Sequence, residues 1–198
     1  MLRFGFNQIY PTNVYYDRIW GEKKLNEIVG EILSLYDVNS VEMGEQNLFV
    51  STSKIIRECK IDIVEHFDYY LRNHFYRYES SNYTKIVNGW ISSNGDISKH
   101  NHAGSHFTGV FFLMADNKDS IGFTDPRTNA NRGYPRELQF AHDDLVFTPN
   151  SGDCLIFPSF LYHYVKANTD KLKLCVAVDL TLVNKDLYKG IPNDTISI

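Results

Sequence analysis

After Tyr83 the chain breaks into seven short runs that read as strands: KIVNGWISS, FTGVFFLMA, SIGFTD, DLVFTPN, DCLIFPS, YHYVKAN and KLCVAVDLTLV. Each is rich in β-branched and aromatic residues, the types that fit a pleated, half-buried surface. Turn chemistry separates them, in SNGD, DNKD, PNSGD and NTDK. Several such strands with no helical period between them specify an antiparallel sandwich or jelly roll. The 13 Tyr and 13 Phe supply the broad faces that such a fold packs together.

The first eighty residues have a different period. Leu25, Ile28, Val29, Ile32, Leu33 and Tyr36 fall on one face of an amphipathic helix. Thr52 or Ser53 can cap a second helix, with a face of Ile56, Cys59, Ile63, Val64, Phe67, Tyr70, Leu71 and His74. The two helices are expected to cover one sheet face and leave the other to line a barrel mouth. The expected fold class is therefore mainly β with N-terminal helices. Its 198 residues suit a single domain, 1–198, with a helical support region over 1–80 and a strand-built core over 83–183. One irregular stretch, PRTNANRGYPRELQFAHDD at 126–144, is long enough to be a lid or binding loop.

A net charge of -4 gives no footprint for a phosphate backbone, so nucleic acid is not the expected partner. Cys59, Cys154 and Cys175 are widely spaced among apolar neighbours and read as reduced core residues. In MLRFGFNQIYPTNVYY, Asn7, Gln8, Pro11 and Asn13 interrupt any signal-peptide run, and no window resembles a membrane span. A cytoplasmic location is the expectation.

Three of the chain's seven histidines crowd into SKHNHAGSHF, residues 98–107. Alternate strand residues share a face, so His100 and His102 can converge on one point and offer neutral nitrogens to a transition metal. A third ligand must come from elsewhere, and His163 in FPSFLYHYV is the best placed. A pair of histidines cannot choose the metal. His106 is expected at the surface, His142 at the surface or in the lid, and His66 and His74 at the surface or the edge of the core. Lys173 puts a cation at the mouth of a largely apolar strand, where it can hold a carboxylate. It can equally be an edge lysine that discourages aggregation, a role open also to Lys171. Asp125-Pro126-Arg127 reads either as a turn salt bridge or as a site where Arg127 binds an anionic group of a substrate.

The order HNH, TGVFFL, FTDPR, PNSGDCLIFPSFLYHYV and KLCVAVDL resembles the iron(II)- and 2-oxoglutarate-dependent oxygenases. It is most similar to the small bacterial and phage members with HxHPGSxLSGVYYL followed by DPR. The resemblance is strong over about residues 83–180 and implies a double-stranded β-helix, the jelly roll of that superfamily. It also implies Fe(II) as cofactor and 2-oxoglutarate and dioxygen as co-substrates. An unidentified prime substrate would be hydroxylated, with release of succinate and CO2. Carried over, the HxD pair falls on His100 and His102, the distal iron histidine on His163, and the cation for the far carboxylate of 2-oxoglutarate on Lys173.

His102 stands where relatives have a carboxylate. Three neutral histidines can hold the iron, one of His100 and His102 can do so alone, or Asp125 can supply the anion. Two rival readings stand beside the oxygenase. A cupin-type metalloenzyme also uses HxH, but here no Glu follows HNH before Glu137, and His163 lies eleven residues past Gly152. A non-catalytic jelly-roll binding module fits the aromatic strands but leaves the spacing of His100, His102, His163 and Lys173 unexplained.

Overall fold

The computed structural model of the chain describes residues 12–37, 47–126, 144–168 and 170–188. In chain order the main elements are β1 (Tyr15–Arg18), α1 (Glu22–Leu35), α2 (Lys54–His74), β2 (Tyr83–Ser93), β3 (Ile97–His100) and β4 (Phe107–Met114). They continue as β5 (Ser120–Phe123), β6 (Leu145–Phe147), β7 (Asp153–Pro158), β8 (His163–Lys166) and β9 (Leu174–Asn184). All seven expected strand runs are strands. The strands form two antiparallel sheets, a major one in the order β1-β7-β4-β9-β2 and a minor one in the order β3-β8-β5-β6. This is the jelly roll that the strand pattern specifies.

Both helices form on the predicted faces. Ser53 caps α2 by accepting from the Ile56 amide at 3.4 Å. Ile56, Cys59, Ile63, Phe67, Tyr70 and Leu71 of α2 are buried, as are Leu25, Ile28 and Ile32 of α1. Leu33 departs from expectation and is 43% exposed, because it lies beside rather than on the stripe made by Leu25, Ile28 and Ile32. The helices pack on the outer face of the major sheet, against Phe107, Phe111, Val176 and Val178 among others. Fully burying a Phe such as Phe67 or Phe111 contributes about 1.5–3 kcal/mol.

The other face of the major sheet meets the minor sheet. Val110, Phe112, Leu155, Phe157 and Cys175 pack there against Ile121, Phe123 and Val165. β4 lies in the middle, covered on both sides, so seven of the residues in FTGVFFLM are buried without alternation. All three cysteines are free and buried. Two strands were not expected. β1 (YYDR) is mostly exposed, and its ladder to β7 defines it rather than its own side chains. β3 carries the polar ISKH and is joined to the minor sheet by its pairing with β8.

Candidate metal centre

Three histidines gather where β3 finishes and β8 begins. His100 ends β3 and lies directly across the ladder from His163, the first residue of β8. Their rings are 4.3 Å apart. His102 follows two residues later, where its amide donates to the Ser159 carbonyl at 3.0 Å, in the connection between β7 and β8. Its ring is nearly parallel to that of His163, at 5.2 Å, and 5.1 Å from that of His100. One ring nitrogen from each histidine lies within 4.8 Å of the others. Among the described residues this is the one group of three potential metal ligands.

The partners of the Nδ1 atoms decide what the site offers. In the neutral tautomer that donates from Nδ1, His100 bonds the Ser98 carbonyl at 2.8 Å and His163 the Leu161 carbonyl at 3.1 Å. His102 donates to the Asp179 carboxylate at 3.0 Å. All three Nδ1 atoms are thus engaged, and the three Nε2 lone pairs are the ones left for a ligand. Such outer partners fix tautomer and ring orientation at metal sites. His163 is 2% exposed and packed between Phe123 and Phe157. Burial, reinforced by the neighbouring His100 and His102, pushes its pKa down to about 4. At neutral pH it is an unprotonated imidazole. Three imidazole ligands suit Fe, Zn, Ni or Cu in the divalent state.

Asp125, the alternative source of an anion, is not part of this group. The carboxylate that touches the triad is that of Asp179, in the middle of β9, and the sequence reading missed it. Its signal was present in the chain, as a single acidic residue within the apolar run VAVDLTL.

Lys173 immediately precedes β9. By strand alternation it lies on the same face as Cys175 and Asp179, the face turned toward the minor sheet. It is 1% exposed, and its ammonium donates to the Gly95 carbonyl at 3.3 Å, the single acceptor that the described residues give it. Lys171 is exposed and pairs with Asp116, so the surface role falls to Lys171.

His106 is exposed, with Nδ1 accepting from the Leu182 amide at 3.0 Å, and is not one of the triad. His66 donates locally, from Nδ1 to the Asp62 carbonyl at 3.0 Å, and His74 stacks on Tyr70. Arg127, expected as a substrate contact, lies outside the described residues. So do His142 and all of the 126–144 stretch except Pro126 and Asp144.

A jelly roll with a triad of histidines that could hold a metal fits more than one activity. Residues 89–179 match the family model described as "Putative 2OG-Fe(II) oxygenase". Among solved structures, a Pseudomonas putida prolyl-4-hydroxylase superposes with a TM-score of 0.62 at 7% identity, over 86% of this chain and 92% of that one. The non-heme alpha ketoglutarate dependent carbocyclase SnoK from nogalamycin biosynthesis gives 0.62 at 11% identity, over 94% and 90%. HygX from Streptomyces hygroscopicus, with nickel and 2-oxoglutarate bound, gives 0.59 at 12% identity, over 86% and 82%. No curated protein matches the sequence. Residues 89–179 thus resemble the 2OG-Fe(II) oxygenases, and the solved structures show that the chain shares their jelly-roll fold.

Proposed function

We propose that this protein is an Fe(II)- and 2-oxoglutarate-dependent dioxygenase whose iron is held by His100, His102 and His163. One observation carries the reading: three imidazoles with Nδ1 engaged each bring a ring nitrogen within 4.8 Å of the others where β3 meets β8. When bound, the iron supplies oxygen activation coupled to decarboxylation of 2-oxoglutarate to succinate and CO2, and the prime substrate is hydroxylated.

The chain's own residues do the rest. Burial keeps His163 unprotonated, so its lone pair is not lost to a proton at neutral pH. Phe123 and Phe157 wall the site and exclude water from its inner side. The Lys173 ammonium has three donors and spends one on Gly95, leaving two for the C5 carboxylate of 2-oxoglutarate. A charge-assisted contact in a dry pocket fixes the orientation of the co-substrate. The buried free thiols of Cys59, Cys154 and Cys175 fit a reducing, cytoplasmic setting.

The test is an anaerobic titration of the protein with Fe(II) and 2-oxoglutarate, followed by the visible metal-to-ligand charge-transfer band. The band should appear with saturable dependence on both components, and it should be lost in His163→Ala together with succinate formation. Metal-replete protein that shows no band and forms no succinate would overturn the reading.

A further inference from the structure

We propose that Asp179 is a positioning residue of the metal centre: it holds His102 and supplies, one hydrogen bond outside the metal, the negative charge that three neutral histidines lack. The inference rests on the metal-ligand reading of His100, His102 and His163.

An acidic residue is out of place where Asp179 sits. It lies in β9 between the fully buried Val178 and Leu180, flanked in the sheet by Thr108 of β4 and Asn88 of β2. Its side chain is 18% exposed, and among the described residues no Lys or Arg forms an ion pair with it. A largely buried carboxylate without a cation is costly. Oδ1 accepts from His102 Nδ1 at 3.0 Å and from Thr108 Oγ1 at 3.0 Å. A neutral imidazole brings no countercharge to this contact. A divalent metal on Nε2 of the same ring does, with the imidazole carrying the interaction between cation and anion.

The surroundings hold the carboxylate in place. Thr108 is fully buried and gives its proton to Asp179, which leaves Ser159 to donate to Thr108 at 2.9 Å. Ser105 lies 2.7 Å from the same Ser159 hydroxyl. The Ser159 carbonyl in turn accepts the His102 amide. His102 is therefore gripped at its backbone from the β7–β8 connection and at its ring from β9. Superfamily relatives that place a carboxylate at this ligand position bind the charge directly to the metal. Here the carboxylate comes from a different strand and acts through the imidazole, which keeps an anion at the centre despite the His102 replacement.

Ni(II) binding to the metal-free full chain, measured by titration calorimetry, separates the possibilities. Asp179→Asn keeps an oxygen that can accept from His102 and Thr108 but removes the charge. It should weaken Ni(II) binding by about 10- to 100-fold, the range found for outer partners of metal-binding histidines. A folded Asp179→Asn protein that binds Ni(II) as tightly as the wild type would overturn the proposal, since a purely structural contact survives that change. Thr108→Val withdraws one donor without touching the carboxylate, and a smaller loss of affinity is expected. Should Asp179→Asn fail to fold, an unchanged affinity in Thr108→Val overturns the proposal instead. Failure of the underlying metal reading looks different: the wild type would bind no Ni(II), or His163→Ala would bind it equally well.

Discussion

Two lysines two residues apart, Lys171 and Lys173, have the same chemistry and opposite fates. The first reaches solvent and pairs with Asp116, while the second is sealed at the start of β9 with one carbonyl for company. Sequence position left both readings open for Lys173, because exposure depends on what the opposing sheet covers. Lys173→Met should therefore weaken 2-oxoglutarate binding with little effect on metal binding. Loss of a hydrogen bond to a charged group costs about 1.5–3 kcal/mol, which corresponds to roughly a 10- to 150-fold rise in Kd. An anaerobic titration of the Fe(II)-loaded variant checks this, and an unchanged Kd would remove Lys173 from the co-substrate site. At this scale the histidines were legible as a cluster, although His102 lies beyond the end of β3 and not, as expected, on a strand face with His100. Asp179 was not, because its significance is a contact with a residue 77 positions away.

Among the elements, β4 shows how the two layers are kept apart. Up to Leu113 its odd-numbered residues face the helices and its even-numbered ones the minor sheet, as Phe111 in the outer cluster and Val110 and Phe112 in the inner one demonstrate. Gly109 lies on the helix side, where a Cβ would stand 2.7 Å from Phe111 Cε2 and 3.0 Å from Phe67 Cζ. α2 can approach this closely because position 109 has no side chain. Gly109→Ala should cost about 1–3 kcal/mol, the usual range for overpacking a core, read as a lower urea midpoint. Ni(II) affinity should hold, since the site uses the opposite face of the strand. The helices and seven strands were readable from their periods. β1 and β3 were not, because neither YYDR nor ISKH carries an apolar alternation, and hydrogen bonds to β7 and β8 alone make them strands.

The whole molecule depends on the helical layer staying on its sheet, and one ion pair ties the two together. Lys85 of β2 reaches Asp68 of α2 at 2.8 Å, with both side chains about one-sixth exposed. Tyr78 and Ser80 add hydroxyl donors to the same carboxylate. Burial raises the pKa of Asp68, but the Lys85 ammonium and these hydroxyls outweigh it and hold the group below its ordinary value. A depressed carboxylate pKa contributes stability above its unfolded value of about 3.9 and loses it as pH falls through the folded one. The urea midpoint of the wild type should therefore drop more steeply below about pH 4 than that of Asp68→Asn. Parallel curves for the two proteins would show that the pair contributes nothing to acid stability.

The sequence by itself determined the elements and the chemistry on offer: strand and helix periods, turn residues, two histidines two residues apart, a third after a strand, and a lone acid in an apolar run. These are local properties, set by side-chain spacing along the chain. The tertiary structure decided which of those residues meet. Closing β3 onto β8 set His100 opposite His163, and stacking the sheets brought Asp179 against His102 and buried Lys173. Such meetings depend on ladder register and on which sheet each strand joins, and no spacing along a single strand encodes either.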